Sequence, residues 1–206
     1  MRIAPVVVPH LKSPSSLLWE DAVLGGAVTH NDPTSIAACV AFVGMLWDLL
    51  GMEAPPKPAW WLDAFVKRAR LLEGDAQLQP RHPGLTFAGP LWSLVNTQVR
   101  QALEEQLTVR DACDRWYSGA FLLETVPSAL YILARHSQDP EVAILRAVND
   151  TKDNDTIAAI VGAAVGALHG RGAFPTRWVD GLLGRTAEND DGRVFKLTAQ
   201  ARERWS

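Results

Sequence analysis

Residues 139–170 read DPEVAILRAVNDTKDNDTIAAIVGAAVGALHG. Asp139-Pro140 sets a side-chain acceptor before a proline whose missing N–H costs nothing at the first helical position. Val142, Ile144, Leu145 and Val148 then repeat at helical spacing, and the pattern breaks at Asn149. A second apolar helix starts at Asp155-Thr156 and runs to Gly170. Two apolar helices joined by a short polar turn, with no strand alternation, announce an α-helical protein. Gly162, Gly166 and Gly170 recur every four residues of the second helix, among alanines. Each helical glycine costs roughly 1 kcal/mol relative to alanine. The stripe therefore predicts close backbone packing against a neighbouring helix, so that Gly166→Leu would overpack by roughly 1–3 kcal/mol.

Working outward, Asp32-Pro33 repeats the same start signal. Its helix runs through Ile36, Val40, Val43, Trp47 and Leu50 to Gly51, where a left-handed cap is expected. Being apolar on most sides, this helix and that of residues 156–168 are expected at the centre. Amphipathic segments at 16–28, 59–72, 91–107, 108–117 and 122–135, and a start at Phe174-Pro175 around Trp178 and Leu182, extend the helical pattern. Residues 53–58 and 74–90 read as linkers, neither of which forces a domain boundary. The expectation is a single all-α domain over residues 1–206, a compact multi-helix orthogonal bundle without internal repeats.

The chain has 206 residues, 48% hydrophobic and 21% charged, enough to bury a sizeable core without disulfides. A net charge of −3 argues against nucleic acid as the main partner. Cys39 and Cys113 stand alone in apolar surroundings and are expected as buried thiols in a reducing compartment, the cytoplasm. No secretory pattern opens the sequence. The longest uncharged apolar run, Ile36 to Trp47, is short of the roughly 20 residues that span a membrane, so no membrane association is expected. The eight tryptophans fall mostly on apolar helical faces and are expected in the core rather than as stacking platforms.

Two polar knots interrupt the helices. The first is Asn149-Asp150-Thr151-Lys152-Asp153-Asn154-Asp155-Thr156. Its carboxylates repel one another unless they are solvated or bridged by a cation. Asp153, Asp155 and Thr156 can aim hard oxygen donors at one point, which suits Mg²⁺ or Ca²⁺ and not Zn²⁺. The EF-hand offsets are not met, and an acidic helix N-terminus favoured by the macrodipole explains the same residues without a ligand. The second knot is Thr29-His30-Asn31-Asp32. Walker A, G-x-S-x-G, G-x-G-x-x-G and H-E-x-x-H are not found in the sequence.

Three segments together resemble the ADP-ribosylglycohydrolase family, of the dinitrogenase-reductase-activating type. Met1-Arg2-Ile3-Ala4-Pro5 resembles its M-R-x-x-P, Thr29-His30-Asn31-Asp32-Pro33 its T-H-x-x-P, and the run from Val148-Asn149 through Asp153-Asn154-Asp155-Thr156 its V-N-x-x-x-D-x-D-[ST] loop. In that loop, family members commonly carry glycines where this chain has Thr151 and Lys152, which adds bulk and a positive charge there.

The resemblance implies an all-α fold and two Mg²⁺ ions. It implies cleavage of the glycosidic bond between ADP-ribose and a modified protein side chain or a small molecule. By the same resemblance Asp153 and Asp155 would be catalytic, and Asp153, Asp155 and Thr156 metal ligands. Asn149 would shape the loop and His30 would lie near the ADP-ribose, so the acidic loop and His30 should converge.

The family's other ligand motifs, G-D-x-x-G and T-D-D-T, and its Gly-rich substrate loop do not occur in these residues. The expectation is the C-terminal part of the fold, lacking the family's N-terminal helices. Two readings follow. One is a Mg²⁺-dependent hydrolase that needs its N-terminal part; the other is a non-catalytic helical module retaining a nucleotide- or partner-binding surface. An apolar scar left by the N-terminal helices would invite a second polypeptide or self-association.

Overall fold

A computed structural model describes residues 1–184 and 191–205. A 3-10 segment at Ala4–His10 opens the chain. It is followed by α1 (Leu17–Ala27), α2 (Pro33–Leu50) and α3 (Pro58–Glu73). Next comes a continuous helical run made of α4 (Leu91–Leu94), a π-helical turn (Val95–Val99) and α5 (Arg100–Glu104). Then follow α6 (Val109–Arg115), α7 (Leu122–His136), α8 (Pro140–Asn149) and α9 (Asn154–His169). The short α10 (Thr176–Val179) and α11 (Arg193–Trp205) complete it. Among the described residues there is no strand, only one antiparallel bridge between Leu78 and Gly89 inside the 74–90 linker.

The start signals act as their chemistry requires. Asp32 accepts from the Ser35 N–H at 2.9 Å, and Asp139 from the Val142 N–H at 3.1 Å. Gly51 departs from expectation: it ends α2 at φ −96°, so the helix stops without the left-handed turn. Gly170 does have positive φ, 73°, but with ψ 173° it takes an extended conformation open in practice only to glycine, not the left-handed helical one. The helix expected around Trp178 and Leu182 is confined to the four residues of α10, and α11 carries no start or stop signal that the sequence reading used.

One hydrophobic cluster joins Ile3 and Val7 of the N-terminal segment to α1–α9. Helix α2 lies in it, packed along α3 and against α1 and α9. It has the length and mean hydropathy (1.6) of a candidate membrane span, yet 61% of it is buried among the other helices. The second central helix is α7, not α9. Eleven of its 15 residues are buried, whereas α9 buries only Ile157, Val161, Ala164 and Val165. Polar side chains inside α7 make this burial possible. Ser128 receives the Trp116 indole N–H at 2.8 Å and donates to the Glu124 carbonyl at 2.7 Å, and the Tyr131 hydroxyl donates to the Leu107 carbonyl at 2.7 Å. Of the tryptophans, only Trp61 and Trp116 are fully buried; Trp19 is exposed and the others are half-buried.

The glycine stripe does not meet a neighbouring backbone. A Cβ at Gly162 would come 3.8 Å from the tip of Ile144, and one at Gly166 3.6 Å from the Phe174 ring rim, both ordinary contacts with side chains. The expected close helix approach is therefore corrected for this chain. Gly166→Ala is expected to stabilise the protein, by up to about 1 kcal/mol, because the added methyl fits and helix propensity improves. Chemical denaturation checks it; a loss of stability would mean that Phe174 cannot give.

Candidate functional site

A cavity of about 410 Å³ opens between the N-terminal segment, α1, α2, α7 and the start of α9. Its inner wall is apolar, with Ala38, Phe42, Phe65, Val126, Leu130 and Leu133 among the lining residues. Polar groups gather from four separate stretches: Arg2, the pair Thr29 and His30 with Ser35, Thr125 of α7, and the pair Asp153 and Thr156. The knots separated by more than a hundred residues thus share one wall, because α2 packs against α9 and both begin at this end. Arg2 is held over α1, its guanidinium donating to the Gly25 carbonyl at 3.3 Å and the Thr29 hydroxyl at 3.5 Å. His30 is exposed at the rim.

Helix α9 starts earlier than expected, at Asn154 with Asp153 as its N-cap residue, so Asp155 and Thr156 sit in its first turn. Asp153 is anchored by its backbone: its N–H donates to the Ser118 carbonyl at 2.9 Å. Its side chain is the anomaly of the site, since Oδ2 is buried without a hydrogen-bond partner. Burial holds the Asp153 carboxyl above the usual carboxylate range, Thr156 offsets part of this by hydrogen bonding, and Asp155 adds to it. A buried carboxylate oxygen without a donor is costly unless a cation completes it.

The remaining site candidates are placed differently. Asp155 is exposed and does not line the cavity; its Oδ1 accepts from the Thr156 N–H at 2.8 Å. Asn149 is exposed at the end of α8, also outside the lining, with its carbonyl accepting from Arg110 at 3.1 Å. Asp150 leaves the acidic cluster altogether, paired with Arg110 at 3.3 Å and Arg146 at 3.2 Å. The Lys152 ammonium is likewise drawn away, 2.7 Å from Asp114 and 4.7 Å from the centre of the Tyr117 ring. The structure thus brings His30, Asp153 and Thr156 to one cavity, and leaves Asp155 beside it and Asn149 behind it.

Among the described residues, no cluster of three or more His, Cys, Asp or Glu side chains could hold a metal ion. Asp153 and Thr156 nonetheless fit a hard cation, since they offer an unpartnered buried carboxylate oxygen and a hydroxyl on one wall. They supply part of a coordination shell, not all of it.

Sequence reasoning missed Ser35, Cys39 and Thr125 on the cavity wall, and Ser118 beneath the loop. The Ser-Gly dipeptide at 118–119 is a turn signal that was there to be read. Both cysteines are free, but their surroundings differ. Cys113 is fully buried and its thiol is pushed up to about 12 by burial. Cys39 is half-buried on the cavity wall against Gly26, and burial pushes its thiol up as well. Alkylation near pH 8 is expected to label Cys39 slowly and Cys113 only on unfolding. Peptide mapping after iodoacetamide treatment checks this; prompt labelling of Cys113 in the folded protein would contradict it.

The all-α core, the T-H-N-D-P turn and the oxygen donors opening a Gly/Ala-rich helix define a known class. A family model for ADP-ribosylglycohydrolase matches residues 1–204, and the chain belongs to that family. A curated relative, the ADP-ribosylarginine hydrolase Tri1 of Pseudomonas putida (strain GB-1), is 26% identical over 180 residues. That alignment covers 87% of this chain but only 40% of the relative, so the chain spans well under half of that protein's length.

Proposed function

We propose that this chain carries one wall of the active site of a Mg²⁺-dependent ADP-ribosyl hydrolase, which cleaves the glycosidic bond of an ADP-ribosylated side chain or a related ADP-ribosyl compound. The observation that carries the reading is Asp153 Oδ2, buried, unpartnered and beside a cavity shared with His30 and Thr156. Asp153 and Thr156 would hold a divalent cation, with Asp155 next to them in the first turn of α9 and Asn149 shaping the loop through its carbonyl contact to Arg110. When bound there, such a cation would supply Lewis-acid chemistry, polarising oxygen ligands and making a coordinated water more acidic. The chain's own residues position the ligand. Arg2 brings positive charge to the rim for a diphosphate, His30 lies beside it as a donor, and the apolar wall excludes water from the bound nucleoside. The name of the curated relative supports an ADP-ribosylated arginine as a first substrate to test.

Two features support a need for further polypeptide. The described residues offer too few donors for one octahedral shell, let alone the family's two Mg²⁺. The cavity is also open at an apolar edge: Met1, one of its lining residues, is 63% exposed. Chain outside these 206 residues, joined to them or docked, would cover that rim and bring the remaining ligands. Self-association through the rim would be the alternative fate of such a surface. The net negative charge supports a protein or small-molecule substrate over nucleic acid, and the two free cysteines support the cytoplasm as its compartment.

The test uses Cys39 as a reporter. ADP-ribose with Mg²⁺ is expected to slow Cys39 alkylation, because the thiol lies on the cavity wall. In parallel, the 206-residue chain is expected to release little ADP-ribose from ADP-ribosylarginine by itself. No protection by ADP-ribose at any Mg²⁺ concentration, or turnover that persists in excess chelator, would overturn the reading.

A further inference from the structure

The loop that carries Asp153 is fastened to a turn that no motif identifies. Among the described residues, three other than glycine have positive φ, and two of them are consecutive here: Tyr117 at 78° and Ser118 at 50°. Left-handed backbone costs roughly 1–2 kcal/mol at each residue other than glycine. It persists only where the surroundings over-determine it. They do so on every side. The Tyr117 ring is stacked on His82, with centroids 4.7 Å apart, and carries the Lys152 ammonium 4.7 Å from its centre. Gly119 lies so close to Glu124 that a Cβ would come 2.5 Å from its carboxylate, and the Gly119 carbonyl accepts from Thr125 at 2.8 Å.

Ser118 is fully buried between this turn and the loop, and both of its oxygens face the loop. Its Oγ accepts from the Lys152 N–H at 3.2 Å, and its carbonyl from the Asp153 N–H at 2.9 Å. Two successive amides are thereby caught by one residue, which sets the direction in which the Asp153 side chain leaves the backbone. Where related loops have glycines, Thr151 and Lys152 adopt no positive φ. The ties to Ser118, and that of the Thr151 hydroxyl to the Ala147 carbonyl at 2.6 Å, do the shaping instead.

We propose that Ser118 is a positioning residue, whose strained turn and two acceptor oxygens aim the Asp153 carboxylate into the cavity for cation binding. The proposal rests on the reading of Asp153 as a cation ligand, and its test separates the two. Ser118→Gly accepts the left-handed backbone without strain but lacks Oγ; Ser118→Cys puts a larger, weaker acceptor in place of Oγ. Melting temperature, amide hydrogen exchange and Mn²⁺ uptake, followed by the EPR signal of free Mn²⁺, are measured on the 206-residue chain and both variants. The expected result has three parts: melting of the glycine variant at or above the parent temperature, faster exchange confined to the amides of residues 152 and 153, and Mn²⁺ affinity lower by about tenfold.

Exchange unchanged at both amides in both variants would overturn the proposal. So would unchanged Mn²⁺ affinity in a chain whose parent binds, or a general loss of protection with a lower melting temperature in the glycine variant, which would make Ser118 a residue of the fold alone. If the parent takes up no Mn²⁺, the cation reading of Asp153 fails, and the exchange at 152 and 153 still decides what Ser118 does to the loop.

Discussion

Glu73→Ala is expected to lower stability by about 3–5 kcal/mol, because it leaves several hydrogen-bond donors without their common acceptor. Glu73 closes α3 and is 4% exposed. Its Oε1 accepts from the Thr34 hydroxyl at 3.0 Å and the Leu91 N–H at 2.6 Å, and its Oε2 from the Trp92 N–H at 3.0 Å. One carboxylate thus joins the start of α2, the end of α3 and the start of α4. Pro90 stands at the N-cap of α4 and offers no side-chain acceptor, so Glu73 satisfies the orphan N–H groups of that helix from a distance and meets its positive dipole end. Truncation leaves two buried donors and the half-buried Trp92 N–H without partners, each buried one worth about 1–3 kcal/mol, with water entry recovering part. For a chain of this size 1 kcal/mol moves the melting temperature by about 2–4 °C, so a fall of roughly 6–12 °C is the low end of the expectation. Glu73→Gln keeps one acceptor oxygen and turns an amide toward the other donor; it should cost about 1–2 kcal/mol. Thermal and urea melts of both variants check the series, and an alanine variant as stable as the parent would show that water replaces the carboxylate at no cost.

The second large effect concerns Asp153, where stability and binding are expected to move in opposite directions. Asp153→Asn should weaken Mn²⁺ uptake by about 100-fold or more, roughly 2.7 kcal/mol. It removes the one charged ligand that faces the cavity, whereas Asp155 points its Oδ1 at a neighbouring backbone N–H. The metal-free variant should be more stable than the parent by about 1 kcal/mol, because an ionised oxygen without a donor no longer has to be buried. Proteins keep such costly groups where function uses them. Calorimetry of the metal-free proteins and Mn²⁺ titration of both read the two signs separately. A variant that binds Mn²⁺ as its parent does would remove Asp153 from the ligand set. A variant less stable than its parent would make Asp153 a structural cap.

Local chemistry was legible wherever one short stretch carries its own explanation. The Asp-Pro starts at 32–33 and 139–140 act through a side chain and an N–H three residues on, and both form as their spacing dictates. Apolar repeats at helical period set the helices and hence the all-α class, because each needs only the geometry of its own segment. The residues that carry oxygen donors, from Asp153 to Thr156, were legible as well, since hard ligands and charge repulsion are properties of side chains.

What tertiary structure decided depends on partners far away in the chain. Sequence could not say that α7 rather than α9 is central, because burial of polar Ser128 and Tyr131 rests on meeting Trp116 and Leu107. Nor could it separate the acidic residues of one loop: Arg110, on α6, and Arg146 take Asp150 away, while Asp153 is left with a bare oxygen at a cavity wall. The glycines of α9 show the same limit from the other side. Their spacing states that small residues are present, but only the neighbours Ile144 and Phe174 settle what they face. A sequence determines which groups exist and how each segment coils; which group meets which is set by packing, where the cost of an unpaired buried charge or donor selects the contacts.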